Sequence, residues 1–102
     1  MALAKRSSRS IVVDDVAYRW VFSLDSGYGV LVVQHASGSG QRLEAQTALL
    51  DPGQQGSLTS VGVARVIRFA LESGWTPTRS APPLSLREID RQVQLYSDRP
   101  HD

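Results

Sequence analysis

The groups in this chain that could do chemistry are two histidines, an aspartate pair, two glycine-containing loops and a scatter of arginines. His35 stands at the end of an apolar run, just before Ser37-Gly38-Ser39-Gly40. A general base needs a nucleophile to deprotonate or a carboxylate to orient it. No such motif accompanies His35, which reads as a strand-end side chain half in water. His101 lies in a polar tail and reads as solvated. The chain has no cysteine, which removes disulfides, thiolate nucleophiles and thiolate-held zinc or iron–sulfur groups together. Asp14 and Asp15 are adjacent, so on a strand their carboxylates point to opposite faces and only a turn brings them together. The pair reads as a hairpin turn rather than a cation site. Gly27-Tyr28-Gly29 lacks the third glycine and the following helix of a dinucleotide fingerprint, and Gly53–Gly56 lacks the lysine of a P-loop. The expectation is a chain with no catalytic residue, no metal and no cofactor.

The cations carry little functional weight by number alone. Ten arginines and one lysine face ten acids, for a net charge of +1. Residues 1–57 hold five basic and five acidic groups, and residues 58–102 hold six and five. A general polyanion binder clusters its cations, and neither half of this chain does so. Nucleic-acid binding remains as an alternative: an open sheet face carrying Arg19 and Arg42, with Tyr28 from a turn and a basic arm of Lys5, Arg6 and Arg9. Glu44 and the aspartate pair share that region and oppose it.

These groups are positioned by elements with clear signatures. Ser10–Val13 and Val16–Phe22 are β-rich runs separated by two aspartates, the pattern of a tight hairpin. Val16, Tyr18, Trp20 and Phe22 fall on one face of the second run, which makes that face the core side. Asp25–Gly29 reads as a turn, Val30–Val33 as a central strand, Ser37–Gly40 as a hairpin connection, and Gln41–Leu49 as an alternating strand. A loop at 51–57 leads to a helix over Thr59–Ser73. Thr59 is its N-cap, and Leu58 with Val63 makes a hydrophobic staple. Its apolar stripe is Val63, Val66, Ile67, Ala70 and Leu71, and its stop is Gly74-Trp75-Thr76-Pro77. Leu84–Glu88 opens either a second short helix, with Ser85 and Glu88 at capping-box spacing, or a short β-extension at Leu84–Leu86. Residues 1–9 read as a disordered basic arm, 10–96 as a single domain and 97–102 as a polar tail.

Two stretches carry a resemblance. Ile11–Trp20, with its Tyr-Arg-Trp strand, and Ala70–Pro77, a helix ending Gly-Trp-x-Pro, are similar to small uncharacterised bacterial proteins of GC-rich genomes. The likeness spans residues 10–86 and leaves Arg87–Asp102 outside. Its marks are structural, so it implies a fold and carries over no site.

The reading is an α+β domain: a four-stranded antiparallel meander with one main helix across its aromatic face and a short C-terminal helix or extension. The expected function is non-enzymatic interaction, with another protein or with a second copy as a homodimer. An unpaired edge formed by Ile11–Val13 or Val30–Val33 would accept a strand. The candidate surface residues are Arg19, Arg42, Tyr28, Phe69 and Trp75. The last two are at the margin of the helix stripe and at the helix-to-loop corner, where core packing competes with exposure. No apolar run reaches bilayer length, and no h-region follows the basic arm. A cytoplasmic, membrane-free protein is the default.

Overall fold

The computed structural model describes residues 8–25, 28–47 and 59–93. Strands β1 (Arg9–Val13), β2 (Val16–Asp25), β3 (Tyr28–His35) and β4 (Leu43–Gln46) run as an antiparallel meander. Helix α1 (Ser60–Glu72) follows, then β5 (Leu84–Leu86) and a 3₁₀ turn at Ile89–Arg91. The sheet order is β1-β2-β3-β4-β5, with β5 parallel to β4. The domain is therefore α+β with a mixed five-stranded sheet, and the expected four-stranded antiparallel sheet is corrected by one strand.

The reason for the fifth strand is local. Pro82-Pro83 holds the chain extended and delivers Leu84-Ser85-Leu86, a period-two pattern, to the outer side of β4. The Leu84 N–H donates to the Arg42 carbonyl at 2.9 Å. A parallel neighbour needs a long crossover, and α1 is that crossover. The Ser85–Glu88 capping box does not form, because Glu88 takes a left-handed conformation with φ 51°. Only the one-turn Ile89–Arg91 segment follows, anchored by fully buried Ile89.

The first hairpin closes as its sequence implies. Val13 pairs with Val16, and Asp14 and Asp15 carry φ values of 52° and 68°, the double positive-φ signature of a type I′ turn. The register then puts Ile11, Val13, Tyr18, Trp20, Leu31, Val33, Leu43 and Ala45 on one face. Helix α1 covers that face with Val63, Val66, Ile67 and Ala70, all at 0% exposure. Thr59 caps it, its hydroxyl accepting from the Gly62 N–H at 3.0 Å. Leu71 is a correction to the stripe: at about 100° per residue it sits on the flank of the buried arc, and it is 36% exposed. Leu58, the expected staple partner, lies outside the described residues.

The helix stop is a Schellman motif. The Gly74 N–H reaches the Leu71 carbonyl at 3.3 Å and the Trp75 N–H reaches Ala70 at 2.9 Å. Gly74 supplies the required positive φ of 105°. Trp75 then turns inward, 3% exposed, with its ring 5.6 Å from that of Tyr18. Its indole N–H donates to the Gln41 carbonyl at 2.9 Å. Trp75 is thus a core residue and contributes no surface. Gln41 ties the same corner with its side chain. Its Oε1 accepts from the Thr76 N–H at 2.8 Å and the Thr76 hydroxyl at 3.0 Å, while Nε2 donates to the Pro82 carbonyl at 2.8 Å. The regular part of β4 is Leu43–Gln46 and begins two residues later than the expected Gln41, which is spent on this latch; Ala48 and Leu49 of the expected strand lie outside the described residues.

Candidate interaction surface

Three regions compete as functional surfaces: the His35 turn, the open sheet face and the sheet edges. At the turn, the Ser37 N–H donates to His35 Nδ1 at 3.1 Å, and the Ser37 hydroxyl lies 2.9 Å from the same nitrogen. Nδ1 is therefore the acceptor and the neutral ring carries its proton on Nε2. Ser37 was missed as a partner of His35. Its signal was only the two-residue spacing of a side-chain-closed turn. The Ser37 hydroxyl also meets the Ser39 hydroxyl at 3.1 Å. All of these contacts are exposed bonds within a turn. Among the described residues, no three metal-ligating side chains come together.

The open face, opposite α1, is more apolar than its sequence pattern implies. Val21, Val30 and Val32 lie on it, all half-buried. Arg19 is directly opposite Gln34, and continuing the β3–β4 register by one residue sets Arg42 on the other side of Gln34. Two of the candidate arginines are thus brought into one row. Both are engaged: Arg19 Nε and Nη2 donate to the Ser8 hydroxyl and carbonyl, each at 2.7 Å, and Arg42 lies 4.0 Å from the Glu44 carboxylate. Between them Gln34 is 3% exposed, and its Oε1 has no hydrogen-bond partner. Tyr28 is the first residue of β3, half-buried, rather than part of a turn. Phe69 is half-buried and packs against the core cluster from the flank of α1. The five candidates do not converge on one patch.

A shallow depression of about 130 Å³ is lined by Val30, Glu44, Gln46, Ser85, Leu86 and Arg87. Ligand pockets run from roughly 300 Å³ upward, so this one holds a few waters and no more.

The edges differ from each other. At one side β5 is three residues long, preceded by Pro82-Pro83 and followed by the left-handed Glu88. Short length and flanking prolines are the usual protection of an edge. At the other side β1 is five residues long and free of proline, and among the described residues no strand pairs with its outer side. In a two-residue hairpin the closing pair is hydrogen-bonded and the pairs then alternate. Arg9, Ile11 and Val13 therefore bond to β2. Ser10 and Val12 direct their N–H and C=O groups outward. Val12 is 67% exposed, the most exposed large apolar side chain among the described residues. Arg9 opens the strand, its guanidinium 5.8 Å from the centre of the Trp20 ring. Asp14 and Asp15 close it, and Asp14 lies 3.6 Å from Arg68 of α1. The edge is therefore basic at its beginning and acidic at its end. The class these features define is an α+β domain whose sheet, among the described residues, has one protected and one open edge.

No family model, curated protein or solved structure matches the chain. No described helix is long and apolar enough to cross a membrane.

Proposed function

We propose that this chain is a non-enzymatic interaction module that self-associates through the outer edge of β1. The observation that carries the reading is the exposed Val12 in the middle of a five-residue, proline-free edge strand. Unpaired N–H and C=O groups in an extended row are a template for another strand. Of the two segments expected to serve if they lay at an edge, Val30–Val33 is inside the sheet and Ile11–Val13 is in the strand at the end of the sheet order. The test is sedimentation equilibrium from about 10 μM to 1 mM, the span of a weak to moderate interface. The wild type should show concentration-dependent dimer. Val12→Lys, which places a charge on the edge, should be monomeric, and its unfolding midpoint should match that of the wild type diluted until it too is monomeric, because the site is exposed. A wild type that stays monomeric throughout would refute self-association.

A second reading, nucleic-acid binding across the open face, draws on the Arg19–Gln34–Arg42 row. Replacing both arginines by glutamine should abolish retention of nucleic acid and its salt dependence. An absence of retention by the wild type at low salt ends that reading.

A further inference from the structure

The geometry of the edge points to one specific way of pairing, and this inference rests on the self-association reading above. We propose that two copies join β1 to β1 antiparallel about a two-fold axis at Ile11, so that residue numbers opposite each other sum to about 22. Ladder geometry narrows the choice. Outward-directed residues must face outward-directed residues, so Ser10 and Val12 of one copy can only meet even-numbered residues of the other. Three symmetric arrangements satisfy this, centred on Ser10, Ile11 or Val12.

Centring on Val12 sets Ser10 opposite Asp14, whose φ of 52° has already left the strand. That arrangement keeps a single hydrogen-bonded pair. Centring on Ser10 sets Val12 opposite Ser8, whose carbonyl already accepts from Arg19 Nη2 at 2.7 Å. It also makes the two Arg9 side chains diagonal neighbours, about 7–8 Å apart at their Cα atoms. Centring on Ile11 has neither fault. All five residues of each strand are matched, Ser10 pairs with Val12 twice, and about four main-chain hydrogen bonds form. The two Arg9 residues move to opposite ends of the pair. Each then stands opposite Val13 of the other copy, next to its Asp14. The basic start and acidic end of the edge are complementary to an antiparallel copy of themselves, and this self-complementarity is what favours a second copy as the partner. Because the axis is perpendicular to the sheet, the five-stranded sheets become continuous and both α1 helices cover the same face.

The absence of cysteine makes the register directly readable. A residue on the axis faces its own copy at about 4.5 Å between Cα atoms, within disulfide range, whereas a residue one position off the axis faces its own copy at more than 7 Å, outside it. Oxidation of Ile11→Cys should give a disulfide dimer. Ser10→Cys and Val12→Cys should each form no disulfide when oxidised alone and should cross-link when mixed. The mixture leaves the partly buried Ile11 in place, so it decides the matter even if Ile11→Cys folds poorly. Asp14→Asn, which keeps a residue tolerant of positive φ in the turn, should weaken the dimer about three- to tenfold at low salt and remove most of its salt dependence. Efficient oxidation of Val12→Cys or Ser10→Cys alone would overturn the register. A dimer that is sensitive to Val12→Lys but yields no cross-link in the mixture would overturn the register while leaving the edge reading intact. A wild type that is monomeric in sedimentation would overturn both.

Discussion

Two buried glutamines offer a sharp test of what holds this domain together, because the same substitution should have opposite signs at the two sites. Gln41 is 9% exposed and makes three side-chain hydrogen bonds, two to Thr76 and one to the Pro82 carbonyl. Gln34 is 3% exposed and its Oε1 makes none. Gln→Met preserves length and volume while deleting the amide. At Gln41 the loss of three bonds at a net of about 1 kcal/mol each is partly offset by the added apolar surface, about 0.8 kcal/mol per methylene-sized group. The expected cost is about 2 kcal/mol. At Gln34 no hydrogen bond to Oε1 is lost, and an unsatisfied buried acceptor, a burden of about 1–3 kcal/mol, disappears. The expected gain is about 1 kcal/mol. The two variants should therefore differ by about 3 kcal/mol, or about 2 M in urea midpoint at the m-value of a domain this size. The assay is urea unfolding followed by Trp fluorescence, with far-UV circular dichroism as a second probe. Trp75, which donates to the Gln41 carbonyl, reports on the same corner. Equal shifts of the same sign at both sites would refute the reasoning, since they would mean that burial, and not hydrogen bonding, sets the energetics. Pairing Gln41→Met with Thr76→Val in a double-mutant cycle would then locate the coupling, expected at about 0.5–3 kcal/mol for residues in contact.

Two further perturbations follow from the same structure. Gly40 has φ 92°, and a Cβ there would drive into the Pro77 carbonyl oxygen; Gly40→Ala should cost about 3 kcal/mol or more in urea unfolding, because backbone cannot give way as a side chain can. Burial, with the Asp14 carboxylate second, raises the Tyr18 phenol above its ordinary value of 10.0. The unfolded chain then ionises first, so stability is level below about pH 10 and falls above it at up to about 1.4 kcal/mol per pH unit. Tyr18→Phe should flatten that alkaline limb in a pH series of unfolding midpoints.

The helix and the first hairpin were legible because their signals are local. Thr59, the Val63–Ala70 stripe and Gly74 each act within a few residues, and each does in space what its type implies. The same holds for Asp14-Asp15, whose tolerance of positive φ is a property of the residues themselves. The fifth strand was only half legible. Leu84-Ser85-Leu86 fits one turn of a helix as well as three residues of a strand, and the choice is made by β4, about forty residues away along the chain, offering an open side. Gln41 was invisible for a different reason. A glutamine at the start of a strand looks solvent-facing until Thr76 and Pro82 fold back over it. Trp75 could be read either as core or as corner, and its burial was settled by Tyr18 and Gln41, neither of them its neighbour in sequence.

The edge itself marks the limit of what a pattern can say. Ile11-Val12-Val13 is apolar on both faces, and the same is true of Val30–Val33. A strand in the middle of a sheet and a strand that pairs with another molecule make the same demand on sequence, because each has neighbours on both sides. What distinguishes them here is order. Val30–Val33 finds β2 and β4 within its own chain, whereas among the described residues Ile11–Val13 finds only β2. An exposed valine would add little to the solubility of an isolated monomer, and β5 shows how this fold protects an edge that stays unpaired: three residues, two prolines before them and a backbone reversal after. β1 is longer, at five residues, has no proline, and carries Arg9 and Asp14 at opposite ends. Within the single chain Arg9 lies over the Trp20 ring and Asp14 beside Arg68, and an antiparallel pair of identical strands would also place each charge beside its opposite.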